Sequence, residues 1–266
     1  MIGLAERLQM FLRHTAHLQY PSLSLTAFTL FLHPTNPSLD SNYALPDTTS
    51  TDDLAGALGR LRQACASRDR LPRIMFVEGY APHLAAGLHA HGFVESARAP
   101  LLICTVETLR PPQAPLGLTV AILDERAADW AVRAHLEVHA RGFEPLGSES
   151  FNDEEVQRFR RDLGIVRAFT AYLDGVPVAA AASLPPYGGV AEIVGITTLV
   201  PFRRQGIGGA LAAAATRQAF GGTVDTVFLI AADQQAGRVY ARVGFQAGGT
   251  LLTYDDKGTS VPPPGS

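Results

Sequence analysis

A strand that runs directly into a glycine-rich helix start limits this chain more than any other feature. Val190 to Val200 is β-branched and apolar apart from Glu192, and Arg203-Arg204-Gln205-Gly206-Ile207-Gly208-Gly209-Ala210 follows it. An alanine-rich helical stretch then runs from Gln205 to Phe220 and stops at Gly221-Gly222. Such a turn is an anion site, because free backbone N–H groups and the positive end of the helix dipole face the same point. Gly206 and Gly208 let a phosphate approach where a Cβ would stand in the way. A Walker loop needs Gly-Lys-Ser/Thr, which this segment lacks. A dinucleotide fingerprint needs G-x-G-x-x-G after a first strand, whereas the glycines here fall late in the chain and the third is displaced. The competing explanation is a helix start whose glycines serve close packing.

The elements around this turn read as an α/β (α+β) fold. After Pro111-Pro112-Gln113-Ala114-Pro115, the clearest linker in the chain, a strand is expected at Leu118–Leu123 and helices at Arg126–Ala140 and Asp153–Leu163, the second capped by Asn152 or Asp153. Val166–Leu173 and Val176–Leu184 flank Asp174-Gly175, a two-residue hairpin turn. Beyond the glycine turn come a strand at Val224–Ala231, a helix at Gln234–Val243 closed by Gly244, and a last strand at Phe245–Tyr254. The result is a mixed sheet with helices on both faces. The first half reads as an amphipathic helix over Met1–Tyr20, a strand at Leu23–Leu32, a loop over Asn36–Thr51, and a helix at Asp53–Ser67. It continues with a strand at Arg73–Val77, a helix at Pro82–Ala90 and a strand region from Phe93 to about Val106. Both halves place Gly-Phe between a helix and a strand, at Gly92-Phe93 and Gly244-Phe245. The expected organisation is a domain over 1–110, a linker over 111–116, a domain over 117–257 and a disordered tail over 258–266.

A length of 266 residues with 47% hydrophobic content supplies a core for each half. The net charge of -3 argues against nucleic acid as a partner, and the cluster Arg158, Arg160, Arg161 reads as a solvated helix face. No apolar run approaches the length of a membrane-spanning helix. Cys65 and Cys104 form no metal or redox spacing and read as buried thiols in a reducing, cytoplasmic setting.

Arg203-x-x-Gly206-x-Gly208 resembles the R/Q-x-x-G-x-G/A motif of the GNAT acetyltransferase superfamily. Asp233-Gln-Gln-Ala236-Gly-Arg-Val-Tyr240-Ala-Arg-Val-Gly244-Phe245 is similar to its N-x-x-A-x-x-x-Y-x-x-x-G-F, with Asp233 where the family usually has Asn. The resemblance covers about 118–255. The first half resembles the degenerate GNAT half of tandem members such as mycothiol-synthase-like proteins, over about 23–106. It has no glycine-rich turn, so one acetyl-CoA per chain is expected, with the first half as scaffold.

The resemblance implies transfer of an acetyl group from acetyl-CoA to an amine, on a small molecule or a peptide, with no metal, and leaves a homodimer open. It implies that Arg203, Arg204, Gln205, Gly206, Ile207, Gly208 and Gly209 hold the pyrophosphate. It also implies that Ile196, Thr197 and Thr198 offer backbone groups to the pantetheine arm, and that Asp233 lies near the cofactor. Tyr240 matches the family's tyrosine, which serves the departing sulfur; the alternative is a tyrosine packed between helix and sheet. Glu192, the one acid in its strand, is costly to bury unless it is paired, and burial would raise its pKa toward that of a general base, a place where some family members carry a glutamate. The alternative is a salt-bridged or edge-exposed glutamate. Two function classes follow: a catalytic N-acetyltransferase, or a non-catalytic acyl-CoA-binding regulatory module. An aminoglycoside or a thiol sugar as acceptor is a variant of the first.

Overall fold

A computed structural model describes residues 2–50, 52–144 and 150–257. The expected tail over 258–266 lies outside them. By its contacts the chain divides into two compact units, Met1–Pro100 with Gly249–Ser266, and Leu101–Gly248. The segment Pro111–Pro115 lies inside the second unit.

The second unit is built on strands β6 (Leu118–Leu123), β7 (Arg167–Leu173), β8 (Val176–Ser183), β9 (Val190–Thr198), β10 (Thr226–Ile230) and the end of β5 (Phe93–Cys104). Strands β6 to β9 form an antiparallel meander. Asp174 (φ 49°) and Gly175 (φ 82°) make the tight turn between β7 and β8, as the Asp-Gly pair predicts. β10 lies parallel to β9 and antiparallel to β5. Helices α4 (Asp129–Phe143) and α6 (Ile207–Ala219) both pack on β8 and β9. Side chains alternate across a sheet. Residues such as Ala171, Ala179, Ala191, Ile193 and Val227 therefore build the core under α6 and α7 (Gln234–Val243). Ala168 joins Val132 of α4 and Val156 of α5 (Asp153–Asp162) in a smaller cluster on the other face. The start of α5 is a complete capping box: Asn152 accepts from the Glu155 amide and Glu155 accepts from the Asn152 amide.

The first unit holds α1 (Leu4–Gln19), α2 (Leu54–Ala66), α3 (Leu84–Ala90) and strands β1 (Ser22–Leu25), β2 (Phe28–Leu32), β3 (Asn42–Pro46) and β4 (Arg73–Val77), with residues 251–255 of β11 (Gln246–Asp256) paired to β4. Two expectations change here. Leu23–Leu32 is a hairpin rather than one strand, because Thr26 takes a left-handed φ of 46° and turns the chain. The stretch 36–51 is not all loop. Asn42–Pro46 pairs with β2 and, through Ala44, runs parallel to β4. Its few residues and flanking Pro and Ser hide it from pattern reading, yet four of the five are buried. Cys65 and Cys104 are both buried free thiols. Among the described residues no helix is long and apolar enough to cross a membrane.

Candidate active site

The glycine turn sits where the pattern places it. β9 ends at Thr198, one 3-10 turn covers Val200–Phe202, and α6 begins at Ile207. Gly206 is the residue before the helix, with φ 84°, and no side chain caps this end. In an α-helix the first amides have no partner within the helix, so α6 points uncapped N–H donors out of its start. A side chain at Gly206 would meet no atom within 4 Å. Glycine is needed there for the left-handed backbone, not for space. At Gly208 a Cβ would stand 3.4 Å from Thr198 Oγ1, and at Gly209 it would make ordinary contact with Val239.

Arg203 is engaged by the protein itself. Its guanidinium donates to the carbonyl of Thr198 (2.9 Å) and to that of Gly142 (2.8 Å), at the negative end of α4. The side chain thus ties the turn to the strand end and to the helix. Arg204, with φ 66°, is exposed beside the turn. Gln205 Nε2 donates to the Pro201 carbonyl.

The strand leading into this turn parts from its neighbour. β9 pairs with β10 only at Val190, Ala191 and Glu192. Beyond that point β9 pairs with β8 and β10 pairs with β5. The stretch holding Ile196, Thr197 and Thr198 therefore has a sheet neighbour on one side and none on the other. Its register against β8 shifts between Ala180 and Ala182, and Gly195 takes φ 63° within that bulge. Gly142 lets α4 come down on this strand, since a Cβ there would fall 2.2 Å from Thr197 Oγ1.

Glu192 is buried, 6% exposed, and no group among the described residues bonds or pairs with its carboxylate. Neither alternative, a salt bridge or an exposed edge, holds. Burial pushes its pKa up to about 8. Asp233 caps α7, its carboxylate accepting from the Ala236 amide at 2.7 Å. Tyr240, on the same helix, packs partly buried against the core beside Phe245, ring centroids 6.1 Å apart. Burial first and the nearby Asp233 second push its hydroxyl up to about 12. Tyr240 thus has the packing of the alternative and an untitrated hydroxyl as well.

Residue-by-residue reading passes over His135 and His139, whose spacing of four on an amphipathic helix was the available signal. His135 Nδ1 lies 3.0 Å from Thr170 Oγ1, and both residues are buried. Among the described residues no group of three or more His, Cys, Asp or Glu side chains gathers as a metal would need.

Residues 125–245 match the family described as Acetyltransferase (GNAT) family. The whole chain is similar to a solved GCN5-related N-acetyltransferase from Kribbella flavida, at 27% identity and TM-score 0.80, covering 98% of each chain. It shares its fold with a tandem GNAT protein from the clavulanic acid biosynthesis pathway, at 15% identity and TM-score 0.63, covering 87% of this chain and 79% of that one. A GCN5-related N-acetyltransferase from Sphaerobacter thermophilus stands close to that, at 15% identity and TM-score 0.61, covering 86% and 76%. No curated protein compared with the chain matches it. The uncapped glycine turn, the parted strands and these likenesses agree: the chain carries a GNAT acetyltransferase domain over residues 125–245.

Proposed function

We propose that the protein is an N-acetyltransferase that moves an acetyl group from acetyl-CoA to an amine, on a small molecule or a peptide. The observation that carries this reading is the buried carboxylate of Glu192, without a partner, on the strand that leads into the anion-binding turn. A carboxylate left unpaired in an apolar strand costs stability, and a protein that only bound acyl-CoA would have no use for it.

Acetyl-CoA supplies an activated acetyl thioester. The backbone amides from Arg204 to Gly209 hold its pyrophosphate, with Gly206 providing the left-handed turn and Arg203 bracing the turn from behind. The unpaired side of Ile196, Thr197 and Thr198 offers backbone groups to the pantetheine arm, as strand addition does, and the Ile196 N–H polarises the thioester carbonyl. Asp233 fixes the start of α7 and so the position of Tyr240. Glu192 takes, directly or through water, the proton that the amine sheds as its nitrogen bonds the acetyl carbon. Tyr240 gives its hydroxyl proton to the sulfur as the C–S bond breaks. A hydroxyl with a pKa near 12 is fully protonated at neutral pH, as a donor must be.

The catalytic domain is assigned to residues 117–257 and the first half to a scaffold without its own acetyl-CoA. An amine panel incubated with acetyl-CoA, with thiol release as the signal, tests the activity. Thiol release that depends on both an amine and Glu192 is the expected result. Acetyl-CoA that binds but turns over with no amine in the panel points instead to the regulatory-module reading.

A further inference from the structure

α4 lays two histidines on the sheet face that carries Glu192, and the two differ in how they are employed. His135 is engaged with the protein: it is buried, its Nδ1 sits 3.0 Å from Thr170 Oγ1, and its ring stacks on Phe159 with centroids 5.3 Å apart. His139 is half-buried and has no hydrogen bond or ion pair with any described residue. Its ring lies between that of His135 (6.3 Å) and that of Phe143 (5.1 Å), and Phe143 is 57% exposed. Its Nε2 stands over Gly195, where a Cβ would come within 2.7 Å of it. Gly195 is the bulged, left-handed residue in the part of β9 that has left β10. A free imidazole nitrogen therefore reaches the backbone along which the acyl arm is proposed to run.

The charges facing this ring are few. From β9 Glu192 shares the face, while β8 contributes Ala180 and Ala182 and β7 contributes Thr170. α5 presents Phe159, and the Arg203 guanidinium beyond the end of α4 is held by the carbonyls of Thr198 and Gly142. Burial pushes His139 down from the usual histidine range and, with His139 beside it, pushes His135 to about 4. A neutral imidazole keeps a lone pair for accepting a hydrogen bond.

We propose that His139 positions the acetyl acceptor. Its Nε2 accepts a hydrogen bond from the amine and holds it over the bulge at Gly195, and the exposed Phe143 ring forms an apolar wall for the carbon chain next to that amine. The acceptor class is then a primary amine carried on an apolar or aromatic arm. This assignment rests on the acetyltransferase reading.

Two measurements on the full chain decide it. The first is the rate at which diethyl pyrocarbonate modifies His139, read by peptide mass mapping with and without acetyl-CoA. Bound acetyl-CoA should slow it by roughly fivefold or more, as ligation of an adjacent site does, and an unchanged rate overturns the placement. The second compares His139→Ala and His139→Gln with the wild type on tyramine, phenethylamine and spermidine. His139→Ala should raise KM for the aromatic amines about tenfold or more while KM for acetyl-CoA stays within about twofold, and glutamine, with a side-chain amide that can accept, should restore part of the loss. KM values for amine equal to wild type in both variants overturn the proposal, as does a loss shared equally by acetyl-CoA. A wild type that protects His139 but acetylates none of the amines overturns the enzymatic reading, and with it this role, while leaving His139 beside the acyl site.

Discussion

The two units repeat one supersecondary plan, and at the decisive turn they do opposite things. In each, a meander of antiparallel strands ends in a strand that leads through a turn into a helix and then into a parallel neighbour: β3 to α2 to β4, and β9 to α6 to β10. In each, the next helix closes on Gly-Phe with the glycine left-handed, Gly92 at φ 85° and Gly244 at φ 107°. Between β9 and α6 the chain offers Arg203, Arg204 and an uncapped, glycine-led helix start. Between β3 and α2 it offers Asp47, Asp52 and Asp53 and no glycine. The carboxylate of Asp53 lies against the first turn of α2, where a Cβ on Gly56 would clash with it at 2.4 Å, and it pairs with Arg60. A carboxylate of the chain itself thus stands beside the start of α2, where the start of α6 has none.

The slot between the parallel strands differs as well. In the first unit α1 fills it. Gln9 is buried and its Oε1 accepts from the Val77 amide at 2.9 Å. Arg13 of the same helix bonds Asp47 after β3. Among the described residues no comparable side chain bonds the open edge of β9. The two units thus share a strand-and-helix plan and differ at one turn and one buried glutamine, and the proposed acetyl-CoA site falls where neither an acidic turn nor such a glutamine is found.

The largest effect should come from making the second turn resemble the first. Gly206→Val forces a β-branched residue to a φ near +84° that it does not tolerate. The rise in melting temperature caused by saturating acetyl-CoA should vanish while the fold persists; an undiminished rise in a folded variant removes this turn from the site. Calorimetry on the wild type should give one acetyl-CoA per chain, and two sites would break the comparison outright.

Next in size is Glu192, for which β3 has no acidic counterpart. With a carboxyl held up to about 8, turnover should rise with pH and level off above that value. Glu192→Gln should lower kcat by about 10²–10⁴ and flatten the rising limb; a profile identical to the wild type leaves Glu192 structural. Stability carries the same signature. A folded pKa above the unfolded 4.5 helps the native state in full below that pH and loses its benefit as pH rises toward 8. Wild type should therefore lose stability relative to Glu192→Gln by about 1.4 kcal/mol per pH unit across that window, read by urea unfolding. Parallel curves for the two proteins rule out the buried titration.

A smaller effect tests the first unit. Gln9→Ala strands the Val77 amide and should cost about 1–3 kcal/mol without creating a second acetyl-CoA site, because the acidic turn remains. A second site in this variant would show that α1 alone blocks the slot. The smallest change is Asp233→Asn. Both residues cap well, so stability should move by no more than a few tenths of a kcal/mol, and any change in acetyl-CoA affinity then reports an amide donor rather than the cap.

Much of this was legible in the chain itself. The Asp174-Gly175 turn, the Asn152 cap, the strand at Arg73–Val77, the helix at Gln234–Val243 and the glycine turn are local, because turn chemistry and hydrophobic period act over a few neighbouring residues. Other features needed partners distant in sequence. β3 is short and bracketed by Pro and Ser, and only its place between β2 and β4 makes it a strand. Residues 251–255 of β11 pair with β4, more than a hundred residues away, which no local pattern announces. Glu192 reads as one acid in an apolar run, but whether it is paired depends on what the sheet and α4 place around it. His139 and Gly195 stand far apart in the chain, and the bulge that joins them arises from a register shift between two strands. Sequence alone determined most of the helices and strands and the glycine-led start of α6, since those follow from short-range sterics and hydrophobic period. Tertiary packing decided which copy of the fold keeps an open slot, because burial, pairing and exclusion belong to surroundings that only long-range contacts assemble.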